Sequence, residues 1–269
     1  MPSFLIATTR DLPEAHFLAR FLDARGQRVS LVNLTGRPPR QTLRVAARLA
    51  RTRGLAYVAD FLLGRALSRL WLPPGPPAFP DIDADAVAQG RARWPRIDAM
   101  DPHGPAVLQF VERQAPDWIL LAGVPVLRPA FYGLARRGAL NRHLGVLPHY
   151  RGSDCPLWTL AEGCPEDVGY SIHFVAQKVD GGDVVHCERV PADGTLTLPQ
   201  YLARLQRRAS EGFAGVLEQA IDGAALPRLA QDGIPCRRFP PAGLTAIRRA
   251  VRTYARVIAA GERAAARAA

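Results

Sequence analysis

The chain has 269 residues, 48% of them hydrophobic and 22% charged, with 35 basic against 24 acidic side chains and a net charge of +11. This length holds one large α/β domain with a small appendage, or two small domains, and the composition is that of a globular chain rather than a disordered or fibrous one. The basic side chains are arginines apart from Lys178, and the positive balance favours anionic partners such as nucleotide, phosphate, polyglutamate, RNA or a membrane surface.

The elements follow in chain order. Ser3–Thr8 is a short apolar strand bounded by turn residues. Asp11-Leu-Pro13 starts a helix, with Asp11 as the expected N-cap, that runs to about Ala24. Arg28–Leu34 is a second strand, so the first unit is βαβ and implies a parallel sheet. The first turn, Thr8-Thr-Arg10-Asp11, lacks GxGxxG, which removes the dinucleotide fingerprint and a glycine-rich phosphate cradle. Residues 40–72 suggest a helical hairpin, basic on one side, that either packs on the domain or docks on a membrane surface or partner. Pro73–Pro77 is a stiff connector, and residues 81–103 are polar and irregular.

Gly104–Gln114 is a helix, and Asp117–Ala122 is the most strand-like run. It leads into Gly123–Pro129, a loop at the carboxyl end of a strand, where α/β sheets bind ligands. A short helix over 130–136 and the strand Gly138–Asn141 follow. Asp154–Gly163 is a helix with Asp154 as N-cap and Gly163 as C-cap. Gly169–Ala176 and Asp183–Val190 are strands, and a long helix runs from Thr197 to about Ile221. The tail over 233–241 and a last helix, Leu244–Ala260, form an appendage, with 261–269 fraying. The N-terminus has no basic leader, no apolar run approaches roughly 18 residues, and the four cysteines form no CxxC pair. The expectation is a reduced, cytoplasmic protein.

Chemistry concentrates in Asn141-Arg-His143, in Pro148-His-Tyr150-Arg151-Gly152, and in Val179-Asp180-Gly-Gly182. Residues i and i+2 of a strand share a face, so Asn141 and His143 point the same way. His143 is a candidate general base near pH 7. Asp180, if close, would hold its tautomer, and the Asn141 amide could donate to a developing oxyanion. This is an acyl-transfer set without a nucleophilic Ser or Cys at its centre. Arg10, Arg128 and Arg151 are candidates for an anionic group. His149, His173, His186 and Cys187 have no zinc-type spacing, and no metal is expected.

The pattern N-x-H-(x)4-P-x-Y-R-G, with H-F-V and V-D-G-G-D following, resembles the folate-dependent formyltransferases, a family that includes glycinamide ribonucleotide, methionyl-tRNA and sugar N-formyltransferases. The resemblance covers roughly residues 100–190. It implies a Rossmann-like fold with helices on both faces of the sheet. It also implies transfer of a formyl group from 10-formyltetrahydrofolate, as co-substrate, to an amine. Asn141, His143 and Asp180 fall on the family's catalytic trio. Gly123, Val124, Pro125, Val126 and Leu127, with Val179, Gly181 and Gly182, fall where the pterin is held. Arg10, Tyr150, Arg151 and Gly152 become candidates on the acceptor side. The chain then divides into a catalytic domain over 1–190 and a helical extension over 191–269. Fewer than eighty residues follow Val190, short of the C-terminal barrel of transfer-RNA members, and the first turn lacks the loop of purine-pathway members. What remains resembles the stand-alone members that act on amino sugars, nucleotide-linked or not, or on natural-product amines. The expected partners are a small amine and a second copy of the chain, with no nucleic acid. The alternatives are a hydrolase of the same folate and a non-catalytic relative that binds membrane or RNA.

Overall fold

Strands buried on both faces read as unbroken apolar runs rather than alternating ones. β1 (Ser3–Thr9) and β4 (Trp118–Ala122) are of this kind and form the centre of a seven-stranded sheet. The computed structural model describes residues 1–36 and 47–268. The other strands of the sheet are β2 (Arg28–Leu34), β3 (Arg96–Ala99), β5 (Gly138–His143), β7 (Gly169–Phe174) and β8 (Val184–Arg189). Their order is β3-β2-β1-β4-β5-β7-β8.

The first five strands in that order are parallel, and β7 and β8 are antiparallel to their neighbours. The sheet is therefore mixed at one edge rather than parallel throughout. The connection over 175–183 is shorter than the dozen or so residues that a parallel crossover requires, so β7 and β8 can pair only as a hairpin.

Side-chain parity distributes the core. Phe4, Ile6, Leu120 and Leu140 face a layer containing α1 (Pro13–Asp23) and α7 (Leu198–Ile221), which contributes Ala209, Phe213 and Leu217. Trp94, at the end of α3 (Ala84–Arg93), joins that layer. Leu5, Ala7, Ile119, Leu121 and Ala139 face the opposite layer, built from α4 (Pro105–Gln114) and α5 (Pro129–Tyr132). The region 81–103, expected to be irregular, holds α3 and β3. Its helix is capped by Asp83, whose carboxylate accepts from the Ala86 N–H at 2.8 Å. Only Gly90 of α3 is buried, so its sequence carries little apolar periodicity.

The expected hairpin over 40–72 is described only from residue 47. Residues 47–53 are helical, and α2 (Leu55–Trp71) follows. α2 lies against the start of α8 (Leu244–Ala268): Asp60 accepts from the Thr245 N–H and hydroxyl at 3.0 and 2.7 Å, and the Tyr57 hydroxyl donates to the Pro241 carbonyl at 2.8 Å. α8 is longer than its expected end near Ala260. It packs with α6 (Cys155–Ala161) and the start of α7 in a separate apolar cluster that includes Leu160, Tyr201, Ile247 and Tyr254. The tail also pairs with the rest of the chain: β9 (Arg237–Phe239) lies parallel to β6 (Tyr150–Gly152) in a two-stranded sheet.

Two expected caps do other work. Asp11 has a positive φ of 51°, and Leu12 occupies the cap position without a side-chain bond. Asp154 also has positive φ, and its carboxylate accepts from the Ala242 N–H at 2.9 Å. Among the described residues no helix is long and apolar enough to cross a membrane.

Candidate active site

The site begins with β5. Ala139, Asn141 and His143 share its α4/α5 face, while Leu140 and Arg142 turn to the other. On the antiparallel neighbour β7, His173 lies opposite Asn141 and Ser171 opposite His143. The Asn141 Nδ2 and His173 Nε2 atoms are 3.0 Å apart. A carbonyl can only accept, so His173 Nδ1–H donates to the Phe174 carbonyl at 2.8 Å. In the neutral ring, Nε2 then accepts one Asn141 N–H and leaves the second free to face a ligand.

His143 is buried, and its Nε2–H donates to the Tyr150 carbonyl at 2.7 Å. Nδ1 therefore carries the basic lone pair. It lies 3.8 Å from Asp180 Oδ2, too far for a hydrogen bond but close enough for the carboxylate to stabilise an imidazolium. Burial lowers the His143 pKa below the ordinary value of 6.5, against the opposing pull of Asp180 and the Tyr150 carbonyl. Gly145 makes the arrangement possible, because a side chain there would place Cβ 2.6 Å from His143 Nε2 and 2.7 Å from the Tyr150 carbonyl. Ser171 holds the turn: its hydroxyl donates to the Gly145 carbonyl at 2.8 Å and accepts from the Leu147 N–H at 3.0 Å.

Asp180 arrives from the β7–β8 loop with a positive φ of 50°. Burial would raise its pKa. Protonation of His173, whose Nε2 lies 3.5 Å from Oδ1, or of His143, and the Gly152 N–H that donates to Oδ2 at 2.9 Å, instead hold it down at about 2. The loop is fixed from the tail. Gln231 is buried, and its Nε2 donates to the carbonyls of Asp180 and Gly182 at 3.1 and 2.5 Å, while its Oε1 accepts from Arg151 Nη2 at 2.7 Å. Gly182 has no room for a side chain, since a Cβ would lie 2.0 Å from the Phe174 carbonyl oxygen.

A cavity of about 520 Å³ opens over His143 and Gly152. Its walls come from the connector Leu72–Pro76, from Asp154 and Pro156 at the start of α6, and from Leu202 and Gln206 of α7. The lining is mainly apolar, with His143, Asp154 and Gln206 as its polar side chains.

The expected residues divide into two groups. Asn141, His143 and Asp180 converge, joined by His173. Gly123–Leu127 leaves the carboxyl end of β4, beside β5, with Val126 66% exposed and Leu127 buried. The Arg128 N–H that follows donates to His103 Nε2 at 2.9 Å. Val179, Gly181 and Gly182 flank Asp180. Gly152, with φ of 106°, borders the cavity. Tyr150 stacks its ring on Phe239, with centroids 5.6 Å apart. Arg151 is 2% exposed and committed to Gln231, and Arg10 is exposed at the carboxyl end of β1. His186 lies on the opposite face from His173, near the Tyr170 hydroxyl. His173 and Gln231 were not singled out as site residues. His173 could have been found from its parity with Ser171 on β7, but Gln231 has no local signal.

The family model described as "Formyl transferase" matches residues 84–217. The chain is 29% identical to the phosphoribosylglycinamide formyltransferase of Escherichia coli, over 61% of this chain and 82% of that protein. It is 32% identical to the methionyl-tRNA formyltransferase of Chlorobium phaeovibrioides over 48% of this chain, but the match spans only 40% of that relative's length. Two solved structures share the fold. One is a glycinamide ribonucleotide transformylase from Symbiobacterium toebii, with a TM-score of 0.57 and 16% identity over 86% of this chain and 93% of that one. The other is a sugar N-formyltransferase from a Shewanella species, with a TM-score of 0.54 and 12% identity over 88% of this chain and 77% of that one. With the family model over the segment that carries Asn141, His143 and Asp180, the chain belongs to the formyl transferase family.

Proposed function

We propose that the protein is an N-formyltransferase that moves a formyl group from 10-formyltetrahydrofolate to the amine of a small acceptor, with an amino sugar, nucleotide-linked or free, as the first choice. The observation that carries this reading is the convergence of Asn141, His143 and Asp180 around His173, with His143 lining an open cavity.

The folate would lie against Gly123–Leu127 and the Val179–Gly182 loop, where the exposed Val126 offers apolar contact. It supplies a formyl group activated on nitrogen. The acceptor amine enters through the cavity and adds to the formyl carbon. The free Asn141 N–H donates to the oxygen that becomes negative. His143 Nδ1 takes the proton released by the amine and returns it to the leaving nitrogen, and Asp180 offsets the charge on the ring in between.

The test is a screen of amines, beginning with nucleotide-linked 4-amino sugars, read by tetrahydrofolate production. His143→Ala and Asp180→Asn are each expected to lower kcat by about 100-fold or more while the circular dichroism spectrum is retained. A variant that keeps more than about a tenth of wild-type kcat would remove that residue from the mechanism. Formate released at full rate without an amine would replace the transferase reading with hydrolysis.

A further inference from the structure

α2 is apolar on more of its surface than its packing uses. Its inner face meets α8, with Gly64 so close to Gly243 and Leu244 that a Cβ would lie 2.7 Å from the Leu244 nitrogen. Its outer face carries Leu55, Leu62, Leu63 and Leu70 at 79, 59, 50 and 77% exposure. Spacings of seven or eight residues put these leucines on one stripe. Four exposed leucines aligned on one surface helix form a contiguous apolar patch of the kind that marks an interaction site.

The charge beside the stripe has one sign. Arg65 and Arg69 on α2 and Arg48, Arg51 and Arg53 just before it are all exposed. Asp60 is the single acidic residue between positions 47 and 71, and it faces inward to Thr245. Arg249, near the start of α8, is also exposed. Two copies meeting through the stripe would bring Arg65 and Arg69 toward their equivalents, which like-charge repulsion opposes. A nucleic acid backbone would use the arginines but gain nothing from the leucines. A bilayer with anionic headgroups uses both, the leucines entering the acyl boundary and the arginines remaining at headgroup level.

We propose that the leucine face of α2 with its flanking arginines docks the protein on an anionic lipid bilayer. The helix ends at Trp71, over which Arg248 stacks at 4.7 Å. The next residues, Leu72–Pro76, form the wall of the cavity over His143. Docking therefore places the cavity wall within a few residues of the bilayer contact.

The test is co-sedimentation of the full chain with vesicles of phosphatidylcholine alone and of phosphatidylcholine with roughly a third phosphatidylglycerol. Binding is expected on the mixed vesicles and at least about ten-fold weaker on the neutral ones. Leu62→Ser/Leu70→Ser is expected to weaken it at least about ten-fold, and Arg65→Ser/Arg69→Ser about five-fold per arginine, with unchanged thermal melts. Equal binding by the leucine variant and wild type, or no binding to mixed vesicles, would overturn the proposal. So would a dimer in light scattering that the leucine variant dissolves, or RNA binding that displaces vesicles but ignores the leucine change. The proposal stands or falls on vesicle binding, independently of which amine the site takes.

Discussion

At the scale of single residues, His143 sits between two acceptors, the Tyr150 carbonyl at 2.7 Å and the Asp180 carboxylate at 3.8 Å. Burial sets its folded pKa below 6.5, so the neutral base persists as pH falls below that value. The acid limb of the kcat–pH profile should therefore have its midpoint below pH 6.5; a midpoint at or above that value would contradict this account. Gln231 tests positioning: Gln231→Ala leaves two loop carbonyls and the Arg151 guanidinium without their partner. It should cost about 1–3 kcal/mol of stability, read by denaturant unfolding, and lower kcat more than it changes KM for the amine. Asn141 and His143 could be paired from sequence because strand parity is a local rule. His173 joins them through cross-strand register, and Gln231 through a contact with a loop 51 residues away, which no periodicity encodes.

At the scale of elements, the strongest signals were the buried strands and the helices with an apolar stripe. Ser3–Thr9, Trp118–Ala122 and Leu198–Ile221 begin and end within a residue or two of where their composition places them. α3 was illegible because a surface helix that buries little more than Gly90 has no stripe to show. Leu12 takes the cap position expected for Asp11, whose carboxylate accepts from Arg91 and Arg96, and Asp154 holds its cap position while its carboxylate accepts from the distant Ala242 N–H. The β6–β9 pair ties the tail to the site, and Gly152 is its critical position. Gly152→Ala would set a Cβ 2.1 Å from the Phe239 carbonyl oxygen at a φ of 106°. It should destabilise by about 2–4 kcal/mol. Gly163→Ala, at a φ of 85° with nothing within 4 Å, should cost only about 1 kcal/mol. Similar losses for both would show that the β6–β9 contact contributes little.

At the scale of the whole molecule, Asp11 joins parts far apart in sequence. Its carboxylate accepts from Arg91 Nη2 at 2.6 Å, Arg96 Nη1 at 3.0 Å and Asn33 Nδ2 at 3.3 Å, linking β2, α3 and β3 to the turn after β1. Removing one member of a buried charge cluster strands the others. Asp11→Ala should therefore cost about 3 kcal/mol, near the low end for such losses because Arg91 is 57% exposed and water can take over part of its solvation. A chemical denaturation midpoint unchanged from wild type would show that the node is dispensable. The Glu14–Arg142 pair, 2.8 Å apart and nearly inaccessible, likewise ties α1 to the strand that carries Asn141 and His143.

The sequence by itself determined the α/β class, the buried strands Ser3–Thr9 and Trp118–Ala122 and the pairing of Asn141 with His143 on one strand face. Each follows from periodicity, parity or turn chemistry within about a dozen residues. Only the tertiary structure decided that β7 and β8 run antiparallel, that α7 belongs to the sheet's core and that the tail reaches back through Gln231 and β9 to fix the Asp180 loop. These contacts depend on which surfaces meet once the chain has collapsed. A buried carboxylate or amide takes the best donor within reach, whatever its distance along the chain.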